Sequence, residues 1–210
     1  MINVNCNESS VIVSKRSRGV VRDYTPRIEL RLVNALTCFL GDEPTGREVF
    51  ITLTTKMSEP KRTKQSFRKW IGTMCYEFDC CGIYVVEFNL GGLVHYHVVL
   101  RFKGPSLTPE GLAAVVKGSF DRWACYGDRN RQAFDAEKVY DTEKLVCYMA
   151  KLPYEDGRPH VERWQKFLPP ALQDCGLGAN WWGYVNRKGV RDCQWSLVNR
   201  ERLRATAMAA

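Results

Sequence analysis

Two histidines in alternation are the first residues in the sequence whose spacing predicts chemistry. His95 and His97 lie in the run LVHYHVVLRF, residues 93–102, which is typical of a β-strand. Alternate residues of a strand project to the same face, so both imidazoles are predicted to form a metal-ligand pair. Glu87 precedes them as the one carboxylate in the apolar strand IYVVEF, residues 83–88.

Glu87 joins the two histidines only if it lies opposite His95 in an antiparallel hairpin. That register requires an odd number of residues in the connecting loop, and the segment 89–93, which holds two glycines, can supply it. Two imidazoles and one carboxylate with open positions are the ligands of a catalytic divalent ion rather than of a closed structural zinc site. The alternative is that these are ordinary strand side chains, but the combination of all three favours the metal site.

A tyrosine on a later helix is the second chemical candidate. In the predicted helix 141–152, Tyr148 falls between a buried apolar stripe and a polar edge that carries Lys144 and Lys151. Such a tyrosine can pack its ring against the core and present its hydroxyl beside Lys151. From this helix alone, a boundary tyrosine with a solvated hydroxyl is the preferred interpretation.

The elements that must position these residues follow from periodicity and capping signals. Capping signals mark the starts of four predicted helices. They are Thr25 with Pro26, Ser58 with Pro60, Thr108 with Pro109, and Asp141. The sequence predicts helices over 25–40, 58–78, 108–125 and 141–152, and strands over 49–55, 83–88, 93–102 and 134–140. This order predicts an α+β fold, a split βαβ antiparallel sheet with helices on one face and the other face open to a ligand. An N-terminal helix and a C-terminal extension complete the chain.

Composition excludes several classes of protein. A hydrophobic fraction of 45% argues against disorder, and no run of about 18 apolar residues predicts a membrane span. The N-terminus lacks the layout of a secretory signal, and nine cysteines without a CxxC pair favour reduced thiols. We therefore expect a soluble, intracellular protein.

The net charge of +8 is unevenly distributed along the chain. Lys and Arg outnumber Asp and Glu by 13 to 7 in residues 1–70 and by 9 to 4 in residues 158–210. Residues 71–157 carry 9 basic and 12 acidic side chains. Basic flanks around an acidic centre suit a protein that holds a polyanion while the centre handles a cation, although a soluble surface alone also explains the excess.

Three segments occur in the order and spacing of the HUH endonucleases. They are FITLT at residues 50–54, the Glu87-x7-His95-x-His97 stretch, and Tyr148-x-x-Lys151. More narrowly, the chain resembles the single-tyrosine rolling-circle replication initiator (Rep) proteins of small plasmids and single-stranded DNA phages. The basic arm before the first helix, and Trp181-Trp182-Gly183 with Arg187, also resemble the flanks of phage-type Reps.

The resemblance implies a function for each of these residues. His95, His97 and Glu87 would bind Mg²⁺ or Mn²⁺, Tyr148 would be the nucleophile, and Lys151 would assist it. The implied activity is site-specific nicking and joining of single-stranded DNA through a 5′-phosphotyrosine intermediate, which initiates rolling-circle replication. The implied partners are single-stranded DNA or an origin hairpin, with host helicase and polymerase, in the cytoplasm of a bacterial host and without a membrane. No GxxxxGK[ST] loop is present, so a separate helicase would unwind the template.

The resemblance also implies an organisation of the chain and a set of DNA contacts. Residues 1–45 would form the basic arm and N-terminal helix, 46–155 the HUH catalytic core, and 156–210 an extension packed on it. A basic terminal arm is a common nucleic-acid device, whereas helix lysines and arginines are by default a solvated face, and strand threonines are explained by β-propensity. The candidate DNA contacts are Arg16, Arg18, Arg22, Thr52, Thr54, Lys61, Arg62 and Arg187.

Two other interpretations stay open. A related HUH transposase or a mobilisation relaxase would share all of these site residues. A non-catalytic RNA-recognition-like module has the same strand order, but it binds bases on sheet aromatics where this chain has His-Tyr-His.

Overall fold

The structure is a computed structural model, and it describes five segments of the chain. In residues 26–29, 60–62 and 125–126 it describes the backbone alone. The segments are 26–55, 60–88, 93–126, 134–150 and 182–193.

Four helices and five strands make up the described segments. The helices are α1 (Pro26–Leu40), α2 (Pro60–Phe78), α3 (Pro109–Tyr126) and α4 (Thr142–Ala150). The strands are β1 (Glu48–Thr54), β2 (Cys80–Phe88), β3 (Val94–Phe102), β4 (Phe134–Lys138) and β5 (Trp182–Val185). Residues 187–193 form a further short helical segment.

Prolines and capping side chains set where the helices begin. Pro26, Pro60 and Pro109 are the first residues of α1, α2 and α3, a position where proline has the right φ and its missing N–H costs nothing. The hydroxyl of Thr108 accepts a hydrogen bond from the amide of Gly111 at 3.1 Å, which caps α3. Asp141 caps α4 in the same way, accepting from the amide of Lys144 at 2.8 Å.

The strands form one antiparallel sheet in the order β4-β1-β3-β2-β5. The first four strands, with α2 and α3 as their crossovers, have the split βαβ arrangement. The prediction of an α+β fold with an antiparallel sheet is therefore confirmed at this level.

One face of the sheet is covered by α2 and α3. Phe67, Trp70 and Met74 of α2 and Trp123 of α3 are buried against apolar residues of β1, β2 and β3. The indole nitrogen of Trp70 donates to the backbone oxygen of Ser119 at 3.0 Å, which joins the two helices. These are the two crossover helices that the sequence placed on one face.

The opposite face carries α1 and α4, so the expectation that all helices lie on one face and leave the other open is wrong. Leu36 and Phe39 of α1 and Leu145 and Met149 of α4 are buried together against Ile83, Val85 and Val99 of the sheet. Each of these helices is too amphipathic to leave its apolar side in water, and the sheet face is the available apolar surface. None of the helices in the described segments combines the length and apolar character needed to cross a membrane.

A fifth strand was not predicted. β5 pairs antiparallel with β2, where the sequence indicated only a packed extension. The strand is four residues long and contains Gly183, which weakens the pattern that identifies strands. A Cβ there would lie 2.7 Å from the hydroxyl oxygen of Tyr84, so a larger residue at this position would displace the tyrosine ring. β2 also begins at Cys80 rather than at Ile83.

A buried ion pair ties α1 to the sheet. Arg101 of β3 donates from Nε to Oε1 of Glu48 at 2.5 Å and from a terminal nitrogen to the backbone oxygen of Leu40 at 3.1 Å. Glu48 also accepts from the amide and the hydroxyl of Thr45, at 2.9 and 2.7 Å. Burial raises the pKa of Glu48, but the bond from Thr45 and the charge of Arg101 outweigh it, so the pKa lies below its ordinary value.

Candidate active site

The β2–β3 register brings the predicted ligands together. Glu87 lies directly opposite His95, which is the pairing that an odd loop was predicted to produce. Since His97 is two residues further along β3, all three side chains lie on the same face. Nε2 of His97 and Oε2 of Glu87 are 3.4 Å apart, and the two imidazole centroids are 4.5 Å apart.

Two threonines of β1 orient the histidines. In the β1–β3 register Thr52 lies opposite His97 and Thr54 opposite His95. The Thr52 hydroxyl is hydrogen-bonded to Nδ1 of His97 at 3.1 Å, and the Thr54 hydroxyl to Nδ1 of His95 at 2.8 Å. With Nδ1 engaged on both rings, Nε2 is the nitrogen placed to bind an ion. These threonines thus position the histidines, and their contact with DNA stays a prediction.

Tyr148 of α4 reaches the same group. Its hydroxyl oxygen lies 3.4 Å from Nε2 of His97, and the two rings meet edge to face with centroids 5.0 Å apart. Phe50 of β1 stacks on His97 at 5.5 Å and meets the Tyr148 ring edge-on at 5.7 Å. The buried ring of Phe50 therefore contacts both side chains and keeps the phenol packed against the imidazole.

Sequence reasoning gave no role to Phe50, although the signal was present. Phe50, Thr52 and Thr54 alternate along β1, so they share the face that carries the histidines. The strand pattern alone does not indicate this role for Phe50, because a buried aromatic residue in a strand usually belongs to the core.

The surroundings of Tyr148 oppose its ionisation. Burial is the largest cause that raises the pKa of Tyr148, and the carboxylates of Glu87, Glu137 and Asp135 raise it further. The side chain is a neutral phenol at neutral pH in this environment. Turning it into a nucleophile therefore requires a nearby positive charge.

A pocket of about 430 Å³ opens beside Tyr148, between β1, β4 and α4. Its charged lining is mixed, with Lys138 and Lys144 among carboxylates, so a phosphate that enters it meets charges of both signs. The lining residues are Phe50, Thr52, Asp135, Glu137, Lys138, Val139, Tyr140, Asp141, Lys144, Leu145 and Tyr148.

Asp135 and Glu137 were not found from the sequence. In the β1–β4 register they lie opposite Thr52 and Phe50, on the face of the histidines. Alternation in the run FDAEK puts the two carboxylates on one side, but only the position of β4 beside β1 places them near Tyr148. Sheet order is a tertiary property, so the local pattern did not reveal their neighbours.

The donor atoms fit a divalent ion in part. In the segments that the structure describes, no three His, Cys, Asp or Glu side chains are already placed to hold a metal ion. Two donors on one ion at about 2.1 Å lie roughly 3.0–3.4 Å apart, depending on the coordination angle. Nε2 of His97 and Oε2 of Glu87, at 3.4 Å, fit this range, and the ring of His95 lies next to that of His97 with centroids 4.5 Å apart.

Several predicted residues lie elsewhere or outside the described segments. Arg187 is exposed, with its guanidinium 5.5 Å from the ring centroid of Tyr184. Lys61 and Arg62 are on α2, which packs on the face opposite the histidines. The remaining candidates lie outside the described residues: Arg16, Arg18, Arg22, Lys151 and Trp181.

Comparison with known proteins adds little. No protein-family model matches the chain, and no curated protein matches it. A structural search finds similarity to the hypothetical protein ORF119 from Sulfolobus islandicus rod-shaped virus 1, at 17% sequence identity. The match covers 60% of this chain and 94% of the viral protein, with a TM-score of 0.35, which is too low to support an inference about either protein.

Proposed function

We propose that the protein is a metal-dependent endonuclease and strand-transferase of single-stranded DNA, with Tyr148 as nucleophile and His95, His97 and Glu87 as the ligands of a Mg²⁺ or Mn²⁺ ion. In line with the resemblance to HUH Reps, its biological task would be to initiate rolling-circle replication. One observation carries the proposal: the hydroxyl oxygen of Tyr148 lies 3.4 Å from Nε2 of His97, which itself lies 3.4 Å from Glu87.

The chemistry is an exchange of one phosphate ester for another. The Tyr148 oxygen loses its proton to solvent and forms a bond to the phosphorus of the DNA backbone. The bond from that phosphorus to the 3′ oxygen of the preceding sugar breaks, and this oxygen takes up a proton to leave as a hydroxyl. The same hydroxyl can attack the phosphotyrosine in reverse, so joining needs no further energy source.

The groups around the Tyr148 phenol have different roles in the proposed reaction. A bound divalent ion supplies positive charge to the phosphate oxygens and to the phenolate. Phe50 and Thr52 hold His97 in place, and the pocket beside Tyr148 provides room for the backbone of the strand. A cation is needed to ionise Tyr148, because burial and then the carboxylates of Glu87, Glu137 and Asp135 raise its pKa.

The remaining partners and contacts belong to the same proposal. Lys151 would assist Tyr148, and the basic arm with Arg16, Arg18 and Arg22 would hold DNA phosphates. A single strand or an origin hairpin would be the substrate, and a host helicase and polymerase would act on the nicked template. A transposase or a relaxase would use the same site residues on a different DNA.

A non-catalytic module that stacks bases on its sheet is less well supported. Such a module needs exposed aromatic rings on the central strands. On this face, β1 and β3 present Thr52, Thr54, His95 and His97, and Phe50 is buried under α4. The described strands therefore present polar side chains beside Tyr148 on this face, where a binding module would present exposed aromatic rings.

The proposal is tested by covalent capture. The protein is incubated with Mn²⁺ and 3′-end-labelled single-stranded oligonucleotides that tile both strands of the DNA carrying its gene, and is then denatured. We expect a labelled protein band that survives denaturation, requires the metal, and disappears with EDTA. Tyr148→Phe should lose the band but keep its affinity for the same oligonucleotide.

Tyr140→Phe is the matched control. Tyr140 lines the same pocket and is 79% exposed, so its hydroxyl is accessible to DNA but is not packed against the histidines. This variant should form the adduct at the wild-type level. Metal-dependent cleavage that persists in Tyr148→Phe would overturn the assignment of the nucleophile, and binding with neither cleavage nor adduct on any oligonucleotide would favour the module.

A further inference from the structure

Two cysteines far apart in sequence meet on the face of the sheet that α1 and α4 cover. Cys81 of β2 and Cys193, in the helical segment 187–193, have their sulfur atoms 3.8 Å apart although 112 positions separate them. Neither residue takes part in the proposed nuclease chemistry. Both are thiols in the structure.

Packing holds the two sulfur atoms together. A Cβ at Gly189 would lie 2.9 Å from the Cβ of Cys81, so this glycine is what lets the helical segment approach β2 so closely. Asn186 fixes the start of that segment, since its side-chain amide donates to the backbone oxygen of Cys80 at 3.4 Å. The pair therefore results from the docking of the segment on the sheet.

The two thiols differ in accessibility. Cys81 is 5% exposed, whereas Cys193 is half-buried and open to solvent on one side. An external reagent can therefore reach Cys193 first, and Cys81 is placed to react with Cys193.

The charges around the pair favour a thiolate at Cys193. The hydrogen bond shared with Cys81 is the largest cause that lowers the pKa of Cys193, to about 6, and the arginines Arg101 and Arg47 add to it against the effect of burial. The same hydrogen bond raises the pKa of Cys81. Such an asymmetry is typical of an attacking thiolate next to a resolving thiol.

We propose that Cys81 and Cys193 form an oxidisable dithiol, which a small disulfide of the glutathione type converts into an intramolecular disulfide. The Cys193 thiolate attacks one sulfur of the small disulfide, forms a mixed disulfide and releases one small thiolate. Cys81 then loses its proton to solvent and attacks the sulfur of Cys193, which releases the second small thiolate. The protein loses two electrons and two protons, and the small disulfide is reduced to two thiols after protonation.

The two sulfur atoms are already close enough for a disulfide to form after a small movement. A disulfide requires the sulfurs to come from 3.8 Å to about 2.05 Å, and rotation about the Cα–Cβ bonds of the two cysteines is the movement we expect to provide this. The product would link the helical segment 187–193 covalently to β2, closing a loop that contains β3, α3, β4, α4 and β5.

The test is disulfide mapping of the folded, full-length chain. The protein is exposed to oxidised glutathione at neutral pH, remaining thiols are alkylated, and the digest is analysed without reduction. We expect a Cys81–Cys193 link to form before any other. Because Cys80 and Cys81 share a peptide, Cys80→Ala is the matched control, which should keep the link, whereas Cys81→Ala should lose it.

The variants also separate the two steps. Cys81→Ala should stop at a mixed disulfide, with one glutathione on Cys193, and Cys193→Ala should leave Cys81 unmodified because it is buried. In the Cys75–Cys80 pair, whose sulfurs are 4.0 Å apart, the hydrogen bond with Cys80 also lowers the pKa of Cys75, but burial and the carboxylate of Asp79 oppose it. This pair should therefore oxidise more slowly. A link that forms equally fast at Cys75–Cys80, or no link between Cys81 and Cys193, would overturn the proposal.

Discussion

The hydroxyl of Tyr148 lies 3.4 Å from Nε2 of His97, although the two residues are 51 positions apart and belong to a helix and a strand. This contact exists because α4 packs on the sheet face that carries the histidines. It combines the candidate nucleophile and the candidate metal ligands in one site. Phe50 helps to fix the relative position of Tyr148 and His97, since its ring packs against both.

Removing the threonine hydroxyls should weaken metal binding without unfolding the sheet. Thr52→Val combined with Thr54→Val keeps the side-chain volume but leaves Nδ1 of His97 and His95 without its oriented partner. We expect the affinity for Mn²⁺ to fall by about 10–100-fold, the usual effect of losing such contacts. Isothermal titration calorimetry measures this directly.

The control for that variant is Thr73→Val, since Thr73 is a half-buried residue of α2 whose hydroxyl donates to the backbone oxygen of Lys69 in the same helix. It should bind Mn²⁺ as the wild type does. An unchanged affinity in the double variant with a native circular dichroism spectrum would mean that the histidines do not depend on the threonines.

Neutralising the carboxylates of β4 should make Tyr148 easier to ionise. Asp135→Asn with Glu137→Gln removes two negative charges that raise the pKa of Tyr148, so the pKa should move toward its ordinary value. The phenolate absorbance of the metal-free protein reports this titration when the signal of the matching Tyr148→Phe variant is subtracted. Asp121→Asn, an exposed change on α3, should have no effect, and a pKa that stays or rises in the double variant contradicts the electrostatic account.

Breaking the buried ion pair should destabilise the whole fold. Arg101→Met leaves Glu48 buried without its cation, which costs about 3–5 kcal/mol in the free energy of unfolding. Urea denaturation followed by tryptophan fluorescence measures the loss. Lys103→Met breaks the exposed pair with Asp79 and should leave the midpoint unchanged, so equal losses in the two variants would show that burial does not matter here.

The same pair predicts the acid dependence of stability. The pKa of Glu48 is lower in the folded protein than its ordinary value of 4.5, so the folded state favours the charged form. The resulting stabilisation is complete above the pKa of the unfolded chain and is lost as the pH falls through the folded pKa. Glu48→Gln should therefore be less stable at pH 7 and show a flatter fall in stability on acidification, and an acid profile as steep as that of the wild type would contradict this.

Local patterns predicted the parts of the site that depend on one strand or one hairpin. The alternation of His95 and His97 fixed their common face, and loop parity predicted that Glu87 would lie opposite His95. Helical periodicity placed Tyr148 at the boundary of an apolar stripe. Each of these inferences needs only neighbours within a few residues.

The failures all concern how elements pack together. The face on which α1 and α4 lie depends on which apolar surface the finished sheet leaves uncovered, and no local pattern contains this. The contribution of Asp135 and Glu137 depends on β4 lying beside β1, and β5 depends on pairing with β2 across the sheet. The role of the threonines as histidine partners likewise required the β1–β3 register.

The most direct test of the central claim is to identify the amino acid that becomes attached to DNA. The adduct formed with Mn²⁺ is digested with protease and nuclease, and the peptide that carries the nucleotide remnant is sequenced by mass spectrometry. The account predicts a phosphodiester on the hydroxyl of Tyr148, and no adduct when His97 is changed to Ala. A remnant on Tyr140 or any other residue, or strand cleavage that leaves no covalent product, would contradict it.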